Sequence, residues 1–156
     1  MKISLKWLKE YVDIILPPKE LAHRLSMSGT EVVGVQVIGG EWDRDKVLVG
    51  RIAKLEKHPN ADRLQLATVD TGGRESTVVC GAWNIAAGDM VPFAQVGARL
   101  VDGHTGESAI LQAARIRGVV SEGMVCSEKE LGLGDDHSGI LILPPDAPLG
   151  ASLADY

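Results

Sequence analysis

The chain has 156 residues, 45% hydrophobic and 24% charged, which suits one soluble-type globular domain with a small appendage and excludes a disordered chain. No apolar run approaches the roughly 20 residues of a membrane helix. The opening M-K-I-S-L-K-W-L-K-E interleaves charge with apolar residues, unlike a secretory signal, so no membrane partner and a cytoplasmic location are expected. The net charge of −5 speaks against a nucleic-acid partner until its distribution is considered. Residues 1–45 carry six basic and seven acidic side chains, residues 46–117 nine and seven, and residues 118–156 one and seven. The middle segment alone is net positive. Within it Lys46, Arg51, Lys54, Lys57 and Arg63 gather against Glu56 and Asp62. That cluster either faces a polyanion or is a solvated strand face.

In chain order, Ser4 can cap a short helix through Tyr11, with Leu5, Leu8 and Val12 on one face. Pro17 and Pro18 break the chain, and Pro18 suits the first turn of a second helix carrying Leu21, Ala22 and Leu25 inward. Gly29 is a natural stop for it. Thr30 to Ile38 is valine-rich and predicts a strand, and Gly39-Gly40-Glu41 a hinge. From Val47 the pattern changes to short β-like runs: Val47–Leu55, Leu64–Val69, Ser76–Val79, Met90–Gln95, Ala109–Ile116 and Gly139–Leu143. Gly- and Asp-rich turns separate them. Several short strands without long helices between them, and 18 glycines for tight corners, predict an antiparallel barrel. Ser127 to Leu131 predicts one short helix with Glu130 at the capping-box position and Gly132 ending it. Pro144 to Gly150 is a stiff exit, and Ala151 to Tyr156 complete no element.

Four stretches carry the chemical information. In H-P-N-A-D-R-L, His58 to Leu64, Pro59 holds His58 out of the α region, Asn60 and Asp62 favour side-chain-to-backbone turns, and Arg63 projects beside the loop. In V-V-C-G-A-W-N, Val78 to Asn84, Trp83 either packs over the barrel rim or stacks on a base. With 4% aromatic residues there is no interleaved stacking platform, which favours packing. In R-I-R-G-V-V-S-E-G-M-V-C-S, Arg115 to Ser127, both arginines fall on one side of a strand and can meet phosphates. Its G-V-V-S-E-G spacing is not the G-x-S-x-G of a nucleophile elbow. In E-L-G-L-G-D-D-H-S-G, Glu130 to Gly139, the glycines fit no dinucleotide fingerprint. Asp135 and Asp136 are adjacent, so they are poorly placed for acid–base work, and calcium would need more ligands. No catalytic residue is expected. Cys80 and Cys126 are too few for a disulfide framework, and neither C-x-x-C nor paired histidines occur among His23, His58, His104 and His137. Free core thiols and no metal site are expected.

Taken in series, H-P-N-A-D-x-L, V-C-G-A-x-N and G-x-x-S-x-G-M-x-C-S resemble the tRNA-binding domain shared by several tRNA-associated proteins. Order and spacing agree across Val47 to Leu143. The flanks M-K-I-S-L-K-W-L-K-E-Y-V, L-A-H-R-L-S-M-S-G-T-E-V and K-E-L-G-L-G-D-D-H-S-G-I-L-I-L-P resemble the opening of the bacterial phenylalanyl-tRNA synthetase beta subunit. This resemblance covers essentially the whole chain. It implies a mostly β fold, an oligonucleotide-binding (OB-fold) antiparallel β-barrel inserted in a small, incomplete α/β domain. Residues 1–39 would be the first half of that split domain, 40–150 the barrel, and 151–156 the start of a truncated return segment. The chain would then be a fragment of an alpha-2-beta-2 ligase that joins phenylalanine to its tRNA using ATP and magnesium. Its aminoacylation site would lie on the alpha subunit and its editing site later in beta, so this fragment itself would be non-catalytic and hold no cofactor. The implied partners are tRNA, the synthetase alpha subunit and the rest of the beta subunit. The implied RNA-binding surface maps to Asn60, Asp62, Arg63, Asn84, Arg115, Arg117, Ser121, Glu122 and Met124. One departure is the nearly uncharged S-A-I-L-Q-A-A-R ahead of Arg115, where tRNA-binding relatives carry lysines. It leaves a second reading, a structural or assembly module without tRNA binding of its own.

Overall fold

The computed structural model describes residues 1–36, 42–103 and 105–156. The hinge expected at Gly39-Gly40-Glu41 and the last residues of the strand expected over Thr30–Ile38 lie outside them, as does His104. The chain divides into two compact units, Met1–Val37 and Ile38–Tyr156.

In the first unit, α1 spans Leu5–Leu8 and α2 spans Pro18–Met27. Ser4 caps α1 as expected, its Oγ accepting from the Trp7 N–H at 3.3 Å. The helix nevertheless stops three residues short of Tyr11, because the N–H groups of Glu10 and Tyr11 turn to carbonyls three residues back. Pro18 opens α2, and Gly29 at φ 97° lets the Thr30 N–H reach back to the Leu25 carbonyl at 3.0 Å. No residue of either helix is buried. The strand expected from Thr30 is not formed over residues 30–36. A strand needs a neighbour to take its backbone groups, and no described strand pairs with these residues, whatever their valine content.

Among its described residues the second unit has nine strands: β1 Val47–Lys57, β2 Gln65–Asp70, β3 Glu75–Cys80, β4 Met90–Gln95, β5 Arg99–Val101, β6 Ser108–Ile110, β7 Ala114–Ile116, β8 Val119–Ser121 and β9 Gly123–Val125. Five form one sheet in the order β3-β2-β1-β4-β9, with every pairing antiparallel. β1 serves two neighbours. Its first half pairs with β4 and its second half with β2, with a register irregularity between Ile52 and Lys54 that bends the strand around the corner. At Gly50 a Cβ would sit 2.5 Å from Val69 Cγ1 and 3.2 Å from Phe93 Cβ, so a side chain there would force its packed neighbours to shift. The sheet closes through Ser121, whose Oγ accepts from the Val79 N–H of β3 at 3.1 Å and donates to the Gly123 carbonyl of β9 at 2.9 Å. The result is the expected oligonucleotide-binding-type barrel, nearly closed. β5–β6 and β7–β8 are separate hairpins.

Two apolar clusters fill the unit, and β4 explains why. Its residues are buried on both faces, Val91 and Phe93 pointing to one cluster and Met90 and Ala94 to the other. The first cluster is the barrel interior, with Ile52, Val69, Val78 and Val125. The second lies outside β1 and β4. It is roofed by Leu100, Leu131, Leu143 and Leu153 from the hairpin and the C-terminal segments. The C-terminal residues 151–156, expected to complete no element, supply part of this roof: Leu153–Asp155 forms a 3₁₀ turn and Ser152 bridges to Leu48.

Three further expectations are corrected. Ala109–Ile116 is two strands rather than one, because Leu111 exchanges hydrogen bonds with Gly97 and Ala98 and ends the first. Gly139–Leu143 forms no ladder: its backbone meets other backbone through single bonds, Leu141 N–H to the Cys126 carbonyl and Leu143 N–H to the Met90 carbonyl, before Pro144 removes the next donor. At Ser127–Leu131 the capping box closes, Glu130 Oε2 accepting from the Ser127 N–H at 2.7 Å, but Gly132 stops the chain after one turn.

Candidate nucleic-acid interface

The loop joining β1 to β2 is H-P-N-A-D-R-L, and it does not stand free. The imidazole of His58 is 5% exposed. Its Nδ1 lies 3.1 Å from the Asn60 backbone N, and its Nε2 lies 3.1 Å from the carbonyl oxygen of Ile116 in β7. Asn60 adds a second link, its Nδ2 donating to the Arg117 carbonyl at 3.1 Å. Together they fasten the β1–β2 loop to the β7–β8 hairpin.

The hairpin turns on two residues, Arg117 at φ 51° and Gly118 at φ 92°, and a two-residue loop of this hand needs positive φ at both. Arg117 therefore occupies the turn, not a strand. The expectation that strand alternation puts it on one side with Arg115 is corrected: Arg115 projects from β7 and Arg117 from the tip, and both are exposed. Left-handed backbone costs a non-glycine residue on the order of 1 kcal/mol. Arg117→Gly is thus expected to keep the melting temperature within about 5 °C of wild type while removing a cation, which thermal unfolding checks.

The basic cluster divides in two. Lys46 donates to the Gly97 carbonyl at 3.1 Å, Arg51 pairs with Asp70 at 2.9 Å, and Lys54 pairs with Glu56 at 2.9 Å. The Gly72 N–H and then Arg51 hold the Asp70 carboxyl below the usual carboxylate range. Among the described residues, Lys57, Arg63, Arg115 and Arg117 have no ion-pair partner, and all four are exposed around the loop–hairpin fastening. This end of the barrel is rich in cations. Asp62 is exposed in the same loop, and Glu122 is exposed after the hairpin.

The remaining sequence-predicted residues have other surroundings. Asn84 gives its side chain to Ile140, Nδ2 donating to the carbonyl at 2.8 Å and Oδ1 accepting from the N–H at 3.0 Å. Ser121 is 5% exposed and closes the barrel. Met124 is half-buried against the outer cluster. Trp83 is 57% exposed, which corrects the favoured packing reading. Cys80 and Cys126 are buried free thiols, and burial pushes both up, away from the thiolate form that attacks or binds metals. Lys57 belongs to the basic cluster read from the sequence, whereas His58 is not among the expected site residues. The acceptor over the Asn60 N–H is the His58 ring itself, a duty that a histidine ahead of proline does not display in the sequence.

A family profile described as "Putative tRNA binding domain" matches residues 47–152, the span of the nine strands and both fastened elements. The chain belongs to this tRNA-binding domain family. The tRNA-binding domain and its flanks together are 54% identical over 156 residues to "Phenylalanine--tRNA ligase beta subunit" of Dehalococcoides mccartyi (strain ATCC BAA-2266 / KCTC 15142 / 195), covering 100% of this chain and 19% of that protein. They are 50% identical over 155 residues to the protein of the same name from Syntrophus aciditrophicus (strain SB), covering 99% of this chain and 18% of that one. The resemblance read from the flanks thus extends over the whole chain, and the chain spans about a fifth of the length of these relatives. Among the described residues no helix is long and apolar enough to cross a membrane.

Proposed function

We propose that this chain is the tRNA-binding accessory module of a phenylalanine–tRNA ligase beta subunit, which meets tRNA phosphates with the β1–β2 loop and the β7–β8 hairpin and leaves the chemistry to the rest of the enzyme. The carrying observation is the fastening of those two elements beside four cations, Lys57, Arg63, Arg115 and Arg117, that have no ion-pair partner among the described residues. Arginine and lysine in such a setting bind a polyanion by releasing its counterions. On this reading the partners are tRNA, the alpha subunit and the remainder of beta, in the cytoplasm. On this reading ATP and magnesium belong to the full enzyme. Residues 1–39 serve as half of a split α/β domain, which the unburied helices α1 and α2 support. Residues 40–150 are the barrel, and 151–156 begin the return segment of the split domain.

The test is a filter-binding titration of tRNA at several salt concentrations. With up to four phosphate contacts, log K is expected to fall with log salt at a slope of about −3 to −4, and Arg115→Ala/Arg117→Ala to bring the slope to about −2. Undetectable binding at low salt, or affinity indifferent to salt, rejects the proposal. The second reading, an assembly module, is favoured by the acidic stretch 118–156 and the uncharged S-A-I-L-Q-A-A ahead of Arg115. Unchanged tRNA affinity of the same double variant within the assembled ligase would select it.

A further inference from the structure

Two hydrogen bonds define the state of one buried ring. A backbone N–H can only donate, so the contact from Asn60 N to His58 Nδ1, 3.1 Å, requires a lone pair on Nδ1. The proton of the neutral ring is then on Nε2, where it donates to the Ile116 carbonyl 3.1 Å away. An imidazolium would aim a second N–H at the Asn60 amide and break the first contact. The Nδ1–H tautomer would lose both contacts. Only the neutral Nε2–H form satisfies the loop and the hairpin together. Among the described residues, the side-chain hydrogen bonds between these two elements come from His58 and Asn60. The loop carries Arg63 and follows Lys57, and the hairpin carries Arg115 and Arg117, so the spacing of the four cations depends on the His58 link together with that of Asn60.

We infer that His58, held as its neutral Nε2–H tautomer, is a positioning residue: it touches no RNA but locks the β1–β2 loop to the β7–β8 hairpin, so that their cations meet consecutive phosphates as one rigid surface. The inference rests on the tRNA-binding reading above. Phosphate binding by several cations depends on their mutual placement, since each must reach its phosphate without first ordering a loop.

Two amide substitutions separate the two functions of the ring. Asparagine can accept from the N–H two residues on, as Nδ1 does, but is too short for the Ile116 carbonyl. Glutamine carries an NH₂ about where Nε2 lies and keeps the cross-link while giving up the turn acceptor. The measurements use the full chain. In wild type, long-range ¹H–¹⁵N spectra of the ring are expected to show a bare Nδ1 and a protonated Nε2 near neutral pH. His58→Asn is expected to leave the barrel folded, to speed amide exchange across residues 116–119 about tenfold, and to cut the salt slope of tRNA binding by ~2, as losing both hairpin arginines would. His58→Gln is expected to retain most of the slope. A charged or Nδ1–H ring in wild type overturns the inference without any variant being made. So does His58→Asn with wild-type exchange and wild-type slope. If instead Arg115→Ala/Arg117→Ala leaves the slope untouched while His58→Asn still frees the hairpin, the tRNA reading fails, and the positioning role for RNA falls with it while the link itself stands.

Discussion

Gly123→Ala is expected to destabilise the chain by about 1–3 kcal/mol, a large share of the 5–15 kcal/mol a domain has in hand. A Cβ at this position would lie 2.6 Å and 2.7 Å from Cζ and Cε2 of Phe93 and 2.8 Å from the Ala94 carbonyl oxygen. The ring cannot yield, because it is 1% exposed and packed in the barrel interior with Val91, Val125 and Ile52. The carbonyl cannot yield either, because β4 and β9 are paired across Phe93–Val125 and Gln95–Gly123. Phe93→Ala removes the obstacle but opens a cavity, at about 3–5 kcal/mol. The double variant is therefore expected to lose at least 0.5 kcal/mol less than the two single losses added together, since the methyl group enters the space the ring has left. Urea unfolding of the four proteins checks this. Strict additivity would mean that the ring and the glycine are not in contact.

Ser121→Ala should cost about 1–3 kcal/mol, because it strips a buried donor and a buried acceptor of their partner at once. The Val79 N–H and the Gly123 carbonyl both use this hydroxyl, and with it gone the β3 edge and the start of β9 face each other without a link. The expected signature is a lower urea midpoint with an unchanged salt slope of tRNA binding. A lost slope at full stability would make Ser121 an RNA contact instead of a barrel clasp. The same comparison applied to Arg117→Gly should give the opposite pattern, with stability kept and the slope reduced by ~1.

The contrast between these residues shows how much of the site was legible beforehand. Arg63, Arg115 and Arg117 were readable as cations in the net-positive segment, because charge is a property of a side chain wherever it lies. Asn84, Ser121 and Met124 belong to the same motif series, yet each has a packing or hydrogen-bonding duty that the series does not display. A short polar residue in a glycine-rich turn reads identically whether it faces solvent or caps a backbone group. The helix expected at Ser127 and the strand expected at Gly139 failed for a related reason. Local signals proposed an element, but Gly132 cut the first to one turn and the second found no continuous partner. The three-residue strands β5, β8 and β9 are too short for alternation to show in the sequence.

Composition, hydrophobic alternation and glycine-bearing turns were enough to specify a barrel of short antiparallel strands, a helical start and a basic middle, because each is written in neighbouring residues. What neighbouring residues cannot encode is which distant backbone groups will need partners. Bringing His58 within hydrogen-bond reach of Ile116, Asn60 of Arg117, Ser121 of Val79 and Gly123 under the Phe93 ring took closure of the sheet, and those meetings decide which polar residues remain free for a ligand.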